Sequence, residues 1–369
     1  MPVGPELRFL DRTHVMFQGK PYLFFGGTDY HRLASHPEVV AACRQEAESG
    51  GLSCAGSRIT TGNNPLHGRL EEKLSGFLGT EDVVLCSGGY LSNTVALDAL
   101  AGDYPRFFID SDAHVSLRGP ARCLAPEHVS TFRHAEPGDL LQQIQSSLQP
   151  AERPLVLTDG VASDDGELSP LGEYWEVVRN WGGLLLVDDA HGIGTVGPRG
   201  RGSPEAARLP AAAFIQTGTL SKALGAFGGL VAGSAGLAAR IIERSQAFVG
   251  ATAIPPPLAA AAIRSIEILQ ANPGMISGLQ MRTAHVRERL RAMGIDTGFS
   301  PAPIISITHR DTARNERLRL ILLAHGLYLP LIRDYPGSPP GGHFRLALSS
   351  VHTDQDVTRL LEAVAESFD

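Results

Sequence analysis

The 369 residues hold 32 lysines and arginines against 39 aspartates and glutamates, a formal net charge of −7, which leaves no basic footprint for nucleic acid. Apolar residues at 43% and charged ones at 19% supply an ample core, and the length suits one large and one smaller unit. No run of about 18 apolar residues occurs, and the opening MPVGPELRFLDR has no hydrophobic signal core, so the expectation is a cytoplasmic protein with no membrane partner.

In chain order, residues 1–45 read as a turn-rich arm that ends in a helix at 37–48, after the segment GGTDYHRLASHP. A helix at 64–78 follows, with Leu66, Leu70, Leu74 and Leu78 on one stripe and Arg69, Glu71, Glu72 and Lys73 on the charged face. From about residue 80, short apolar runs alternate with helix-sized stretches: 83–86, 107–109, 155–157, 184–187, 214–215 and 230–232. Runs that are apolar throughout predict an α/β fold with a mainly parallel sheet covered on both faces. In such sheets ligands sit beyond the carboxyl ends of the strands. Five of those ends carry polar or glycine residues: 87–90, 110–114, Asp159 with Ser163, 188–191 and 217–222.

A boundary is expected near AIPPP at 253–257, which gives an arm at 1–45, a large domain at 46–252 and a small α+β domain at 253–369. In the last of these, helices are predicted at 258–269 and 277–293 and strands at 304–308, 327–332 and 344–348, with Thr353 and Asp356 forming a capping box for a terminal helix. The cysteines Cys43, Cys54, Cys86 and Cys123 fall in no C-x-x-C spacing and read as buried thiols.

The stretch TGTLSKALGAFGG sets Lys222 among small residues after a run at 211–215 that reads as a buried strand. Burial lowers an amine's pKa and frees it to act as nucleophile and base. Ser87-Gly88-Gly89-Tyr90, between a strand and a predicted helix, offers free backbone N–H groups to a phosphate, although the same turn also serves as an ordinary loop. LLLVDDAH ends a hydrophobic strand in Asp188 and places His191 three residues on. A carboxylate there needs a partner, which a protonated ring nitrogen of a bound heterocycle supplies. A metal is the competing partner, yet a lone D-x-x-H lacks a second ligand pair.

These blocks, TGTLSKALGAFGG, VDDAHGIGTVGPRGRGS, SGGYLSN and FRLALSSVH, resemble the pyridoxal-phosphate enzymes of the α-oxoamine synthase family. The resemblance implies a fold type I transferase, a homodimer with shared active sites, and a Schiff base between pyridoxal 5′-phosphate and Lys222. It further implies that Asp188 pairs with the pyridinium nitrogen, that His191 donates to the ring's phenolic oxygen and that His114 stacks on the ring. Ser163 and Thr219 would lie beside the cofactor, the amides of Gly89 and Tyr90 on its phosphate, and Thr252 on the phosphate of the neighbouring subunit. Arg345 would grip the amino-acid carboxylate. The implied reaction is a decarboxylating condensation of a small amino acid, L-alanine by default, with an acyl thioester, pimeloyl-CoA or a pimeloyl carrier protein by default. An aminotransferase on the same fold and a non-catalytic relic are the alternatives.

The chain departs from the family pattern where substrate is chosen. Asp29 stands where a neutral amide is usual and is read as a substrate-facing residue; His343 replaces the first arginine of a terminal R-x-R, and Gly250 an aromatic position.

Overall fold

The structure, a computed structural model, describes residues 4–333 and 338–368. The six apolar runs from residue 83 to 232, with one further segment, pair into one central seven-stranded sheet. Its strands are β1 (Asp82–Cys86), β2 (Arg106–Asp110), β3 (Val129–Phe132), β4 (Pro154–Asp159), β5 (Leu184–Asp188), β6 (Phe214–Thr219) and β7 (Gly229–Gly233). Their spatial order is β1-β7-β6-β5-β4-β2-β3, and only β7 runs antiparallel to its neighbours. Strand β3 was not foreseen, because VSTF at the sheet edge is only partly buried and shows no apolar run. The strand expected at 211–215 begins later: Ala211–Ala213 forms a 3-10 turn ahead of β6.

Alternation along the strands explains why both sheet faces are apolar. Val84, Phe107, Ile109, Leu155, Leu157 and Leu186 face the helices α1 (Gly89–Leu100) and α2 (Val115–Leu124). Phe108, Val156, Leu185 and Val187 face the helices Pro137–Ser147 and Leu171–Val178. In the helix Pro65–Leu78, Leu70, Leu74 and Leu78 are buried as the stripe predicts. On its polar face Glu71 is drawn inward, where it pairs with Arg58 and accepts the Leu85 N–H at 3.0 Å.

Two segments pack across the boundaries expected from the sequence. The residues read as a turn-rich arm form strands at His14–Phe17 and Lys20–Phe24, and the second of these pairs in parallel with Leu327–Tyr328. The AIPPP segment opens the helix Pro256–Ala271, whose Ala259, Ile263 and Ile266 share one apolar core with Val39, Leu70 and Leu74. Prolines at the first turn of a helix start it without breaking the packing around it.

Further on, the run at 327–332 is split, because Pro330 interrupts it: Leu327–Tyr328 joins the N-terminal sheet while Leu331–Ile332 pairs with His343–Ala347. The helix Thr312–Ala324 was also missed; Asp311 caps it by accepting the Arg314 N–H at 2.8 Å. The terminal capping box is present, with Thr353 N–H donating to Asp356 at 2.8 Å and Asp356 N–H donating to Thr353 at 3.1 Å. Of the cysteines only Cys86 is buried, and Cys123 is exposed. Among the described residues no helix is long and apolar enough to cross a membrane.

Candidate active site

The carboxyl ends of β2, β4, β5 and β6 and the start of α1 enclose a cavity of about 400 Å³. Gly89, Tyr90, His114, Ser163, Asp188, His191, Thr219 and Lys222 all line it, so eight of the predicted residues meet in one place.

Lys222 sits in the turn after β6, and its Nζ lies 2.7 Å from His191 Nε2. Burial lowers its pKa to about 8, helped by the Arg345 guanidinium and opposed by Asp188 and Asp159. The turn is held by a close approach at Gly225: its φ is +59°, and a Cβ there would stand 2.3 Å from the Ala34 nitrogen.

His191 is buried, and its other nitrogen, Nδ1, lies 2.7 Å from the Tyr30 hydroxyl. Burial and the nearby Lys222 push its pKa well below the usual value, so the ring is neutral. A neutral imidazole has one donor and one acceptor nitrogen. When the Lys222 ammonium donates to Nε2, Nδ1–H donates to Tyr30; when the amine is free, Nε2–H donates to Lys222 and the Tyr30 hydroxyl donates to Nδ1. The Tyr30 pKa is raised to about 12 by burial, which keeps that hydroxyl protonated.

Asp188 ends β5 in register with Asp159 at the end of β4. Its Oδ2 accepts from Asn93 Nδ2 at 2.6 Å and Ser116 Oγ at 3.3 Å. Asn93 is itself fixed, accepting the Thr217 hydroxyl at 2.5 Å. Asp159, buried beside Asp188, has its pKa raised well above the carboxylate range by burial first and by that neighbouring charge second, and it accepts the His114 N–H at 2.9 Å. His114 caps α2, with its Nδ1 2.7 Å from the Ser116 hydroxyl and its own pKa lowered by burial.

At the other wall, α1 starts at Gly89 with Gly88 as a cap that has no side chain to offer. Among the described residues the N–H groups of Gly89 and Tyr90 have no acceptor outside the helix. Gly89 is required there, since a Cβ would meet Thr219 Cβ at 2.7 Å. Arg345 lies at the mouth, its Nε donating to the Ser163 carbonyl.

Two predicted residues fall elsewhere. Asp29 does not face the cavity: its Oδ1 accepts the Leu33 N–H at 2.9 Å and its Oδ2 the Ala34 N–H at 3.0 Å. Both oxygens are spent on the turn against which Gly225 packs, so Asp29 supports the Lys222 turn from behind and the expectation of a substrate contact is corrected. Thr252 lies outside this cavity and accepts the Ser87 hydroxyl through its carbonyl. Tyr30 and Asn93 are the residues that sequence reasoning missed. Asn93 was within reach, because it stands four residues after Gly89 and so shares a helix face with it.

The donor set fits pyridoxal 5′-phosphate: a half-buried amine of lowered pKa, a buried carboxylate across from it, and unanswered amides at a helix N-terminus. Among the described residues no cluster of three His, Cys, Asp or Glu side chains suits a metal. The family model described as aminotransferase class I and II matches residues 22–364. This chain belongs to that family. Within the aminotransferase class I and II family it is 37% identical to the 8-amino-7-oxononanoate synthase of Thioalkalivibrio sulfidiphilus, over 95% of this chain and 89% of that protein. The solved serine palmitoyltransferase of Sphingomonas wittichii superposes with a TM-score of 0.89 at 30% identity, over 97% of this chain and 90% of that one. A structure titled as SPT with PLP superposes at 0.90 with 27% identity, over 99% of this chain and 92% of that one. The fold is therefore the fold type I α/β architecture of the α-oxoamine synthases, as the sequence blocks implied.

Proposed function

We propose that this member of the aminotransferase class I and II family condenses a small amino acid with an acyl thioester and releases carbon dioxide, as an 8-amino-7-oxononanoate synthase-like acyltransferase. The observation that carries the reading is the Lys222 amine, set in the cavity 2.7 Å from His191 Nε2, where burial pushes its pKa down to about 8. Near full-length similarity to an 8-amino-7-oxononanoate synthase and to a serine palmitoyltransferase supports it.

Pyridoxal 5′-phosphate is the cofactor, and when bound it supplies a ring that accepts the electrons left on the substrate Cα when a bond there breaks. Lys222 would hold it covalently, and its amine, when free, would take the proton from the substrate Cα. Asp188, oriented by Asn93 and Ser116, holds the proton on the ring nitrogen. The amides of Gly89 and Tyr90 and the hydroxyl of Thr219 take the phosphate, with Thr252 reaching the partner's site in a homodimer. His114 would cover the ring face, Ser163 would lie beside it and His191 would donate to the ring oxygen. Arg345 binds the substrate carboxylate with a planar two-pronged donor. The C-terminal residues 253–369, which carry Arg345, are proposed as the smaller of two units. L-Alanine, glycine and L-serine are the candidate amino acids, and pimeloyl-CoA or a pimeloyl carrier protein the first acyl donors to try.

The test is to supply the reconstituted protein with each amino acid, with and without an acyl thioester, and to follow thiol and carbon dioxide release. Release that needs both substrates is the expected result. Keto-acid formation with no thiol release from any acyl donor would turn the assignment to amino transfer, and a protein that stays colourless with added cofactor would be a non-catalytic relic.

A further inference from the structure

At the start of the strand His343–Ala347 stands a histidine for which the described residues supply no partner. His343 is 2% exposed, and among the described residues neither of its ring nitrogens has a hydrogen-bond partner. Buried polar groups are nearly always paired, and an unpaired one is costly, so nitrogens left unanswered among the described residues point to a group that binds here.

Strand alternation puts His343 on the same face as Arg345, while Phe344 and Leu346 are buried in the apolar core behind. That face lines a second cavity of about 260 Å³, which shares Lys222, His191, His114 and Ser163 with the first. Around His343 its wall is completed by Thr28, Asp164 and Ile332. Burial lowers the His343 pKa, and Arg345 adds to the effect against the opposite pull of Asp164 and Asp165.

The neutral ring offers one N–H and one lone pair. An anionic group brought here would face the Asp164 carboxylate, and a cationic one the Arg345 guanidinium. An apolar group would leave both nitrogens unanswered. A hydroxyl can donate to one polar neighbour and accept from another, and it is the smallest neutral group that does both.

We propose that His343 is a specificity-determining residue that reads a hydroxyl on the amino-acid substrate, so that the protein selects L-serine over L-alanine and glycine. The inference rests on the condensation reading above: with the amine at Lys222 and the carboxylate on Arg345, the side chain is the substituent left to face His343.

The test is binding without any acyl donor. Holoenzyme is titrated with L-serine, L-alanine and glycine while the cofactor absorbance is followed. Serine should bind about tenfold more tightly than alanine, the value of one hydrogen bond to a buried group. In His343→Phe, which keeps an aromatic ring, the serine-to-alanine ratio should fall close to one; in His343→Asn, whose amide both donates and accepts, part of the preference should return. Equal affinities in the wild type, or an unchanged ratio in His343→Phe, overturn the proposal. If the three amino acids bind alike while thiol release still proceeds, only this inference fails. If none of them perturbs the bound cofactor, the condensation reading fails and takes the inference with it. The wild-type ratio decides the matter even where a variant folds poorly.

Discussion

Two buried acidic clusters occupy neighbouring strand ends, and the chain completes them differently. At the end of β2, Asp110 is 1% exposed and accepts from the Tyr174 hydroxyl at 3.2 Å and the Asp112 N–H at 3.0 Å, with His134 Nδ1 at 2.9 Å. The pairing with Asp110 raises the His134 pKa to about 9, so that ring is protonated at neutral pH and the cluster is closed by a counter-charge. At the ends of β4 and β5 the arrangement is reversed. Asp159 and Asp188 stand side by side, the Lys222 amine has its pKa lowered to about 8, and burial lowers the pKa of both the His114 and His191 rings. A carboxylate answered by its own chain serves the fold; carboxylates answered in part, beside an amine held close to neutrality, leave charge for something that binds.

The sharpest way to break this contrast is Lys222→Ala, which should lower turnover by about a thousandfold or more. It should also abolish the borohydride-stable link to the cofactor that mass spectrometry places on Lys222 in the wild type. In the apoprotein, capture of pyridoxal phosphate should speed up as pH rises towards 8 and level off above it, because the free amine is the reacting form. A capture rate that keeps climbing to pH 10.5, the ordinary lysine value, would show that the site does not depress Lys222.

Tyr30→Phe asks whether the His191 ring needs its outer partner. Loss of one hydrogen bond to a buried ring predicts about a fivefold fall in turnover with a shifted pH profile for cofactor capture, both read from stopped-flow rates. His134→Gln tests the closed cluster and should leave turnover within about twofold while lowering stability by about 1 kcal/mol, a value kept small because His134 is partly exposed. The sign with pH is fixed: a group raised from 6.5 to about 9 adds stability that is whole below 6.5 and fades as pH rises through 9. Thermal unfolding across that window should show the decline in the wild type and not in His134→Gln.

Much of the parallel sheet was legible because its strands are apolar on both faces, and the cofactor residues were legible because they follow those strands. What escaped had weaker signals. Strand β3 is polar and lies at an edge, and the helix Thr312–Ala324 carries a run of arginines through its first turns. Asp29 was misplaced because a carboxylate in a substrate-facing segment looks functional until its two oxygens are seen on Leu33 and Ala34. Tyr30 lies 161 positions from His191 in the chain, and no periodicity connects residues that far apart.

The pairing of Lys20–Phe24 with Leu327–Tyr328 has a practical bearing on cloning. Phe25 receives the Ala347 N–H at 3.0 Å and donates to Tyr328 at 3.1 Å, two positions away from Arg345 on one side and five from Tyr30 on the other. A shortened gene that begins after Phe25 would remove the N-terminal strands beside Leu327–Tyr328 and the Phe25 carbonyl that ties down the end of the strand carrying Arg345, so the leading residues cannot be discarded as dispensable trimming.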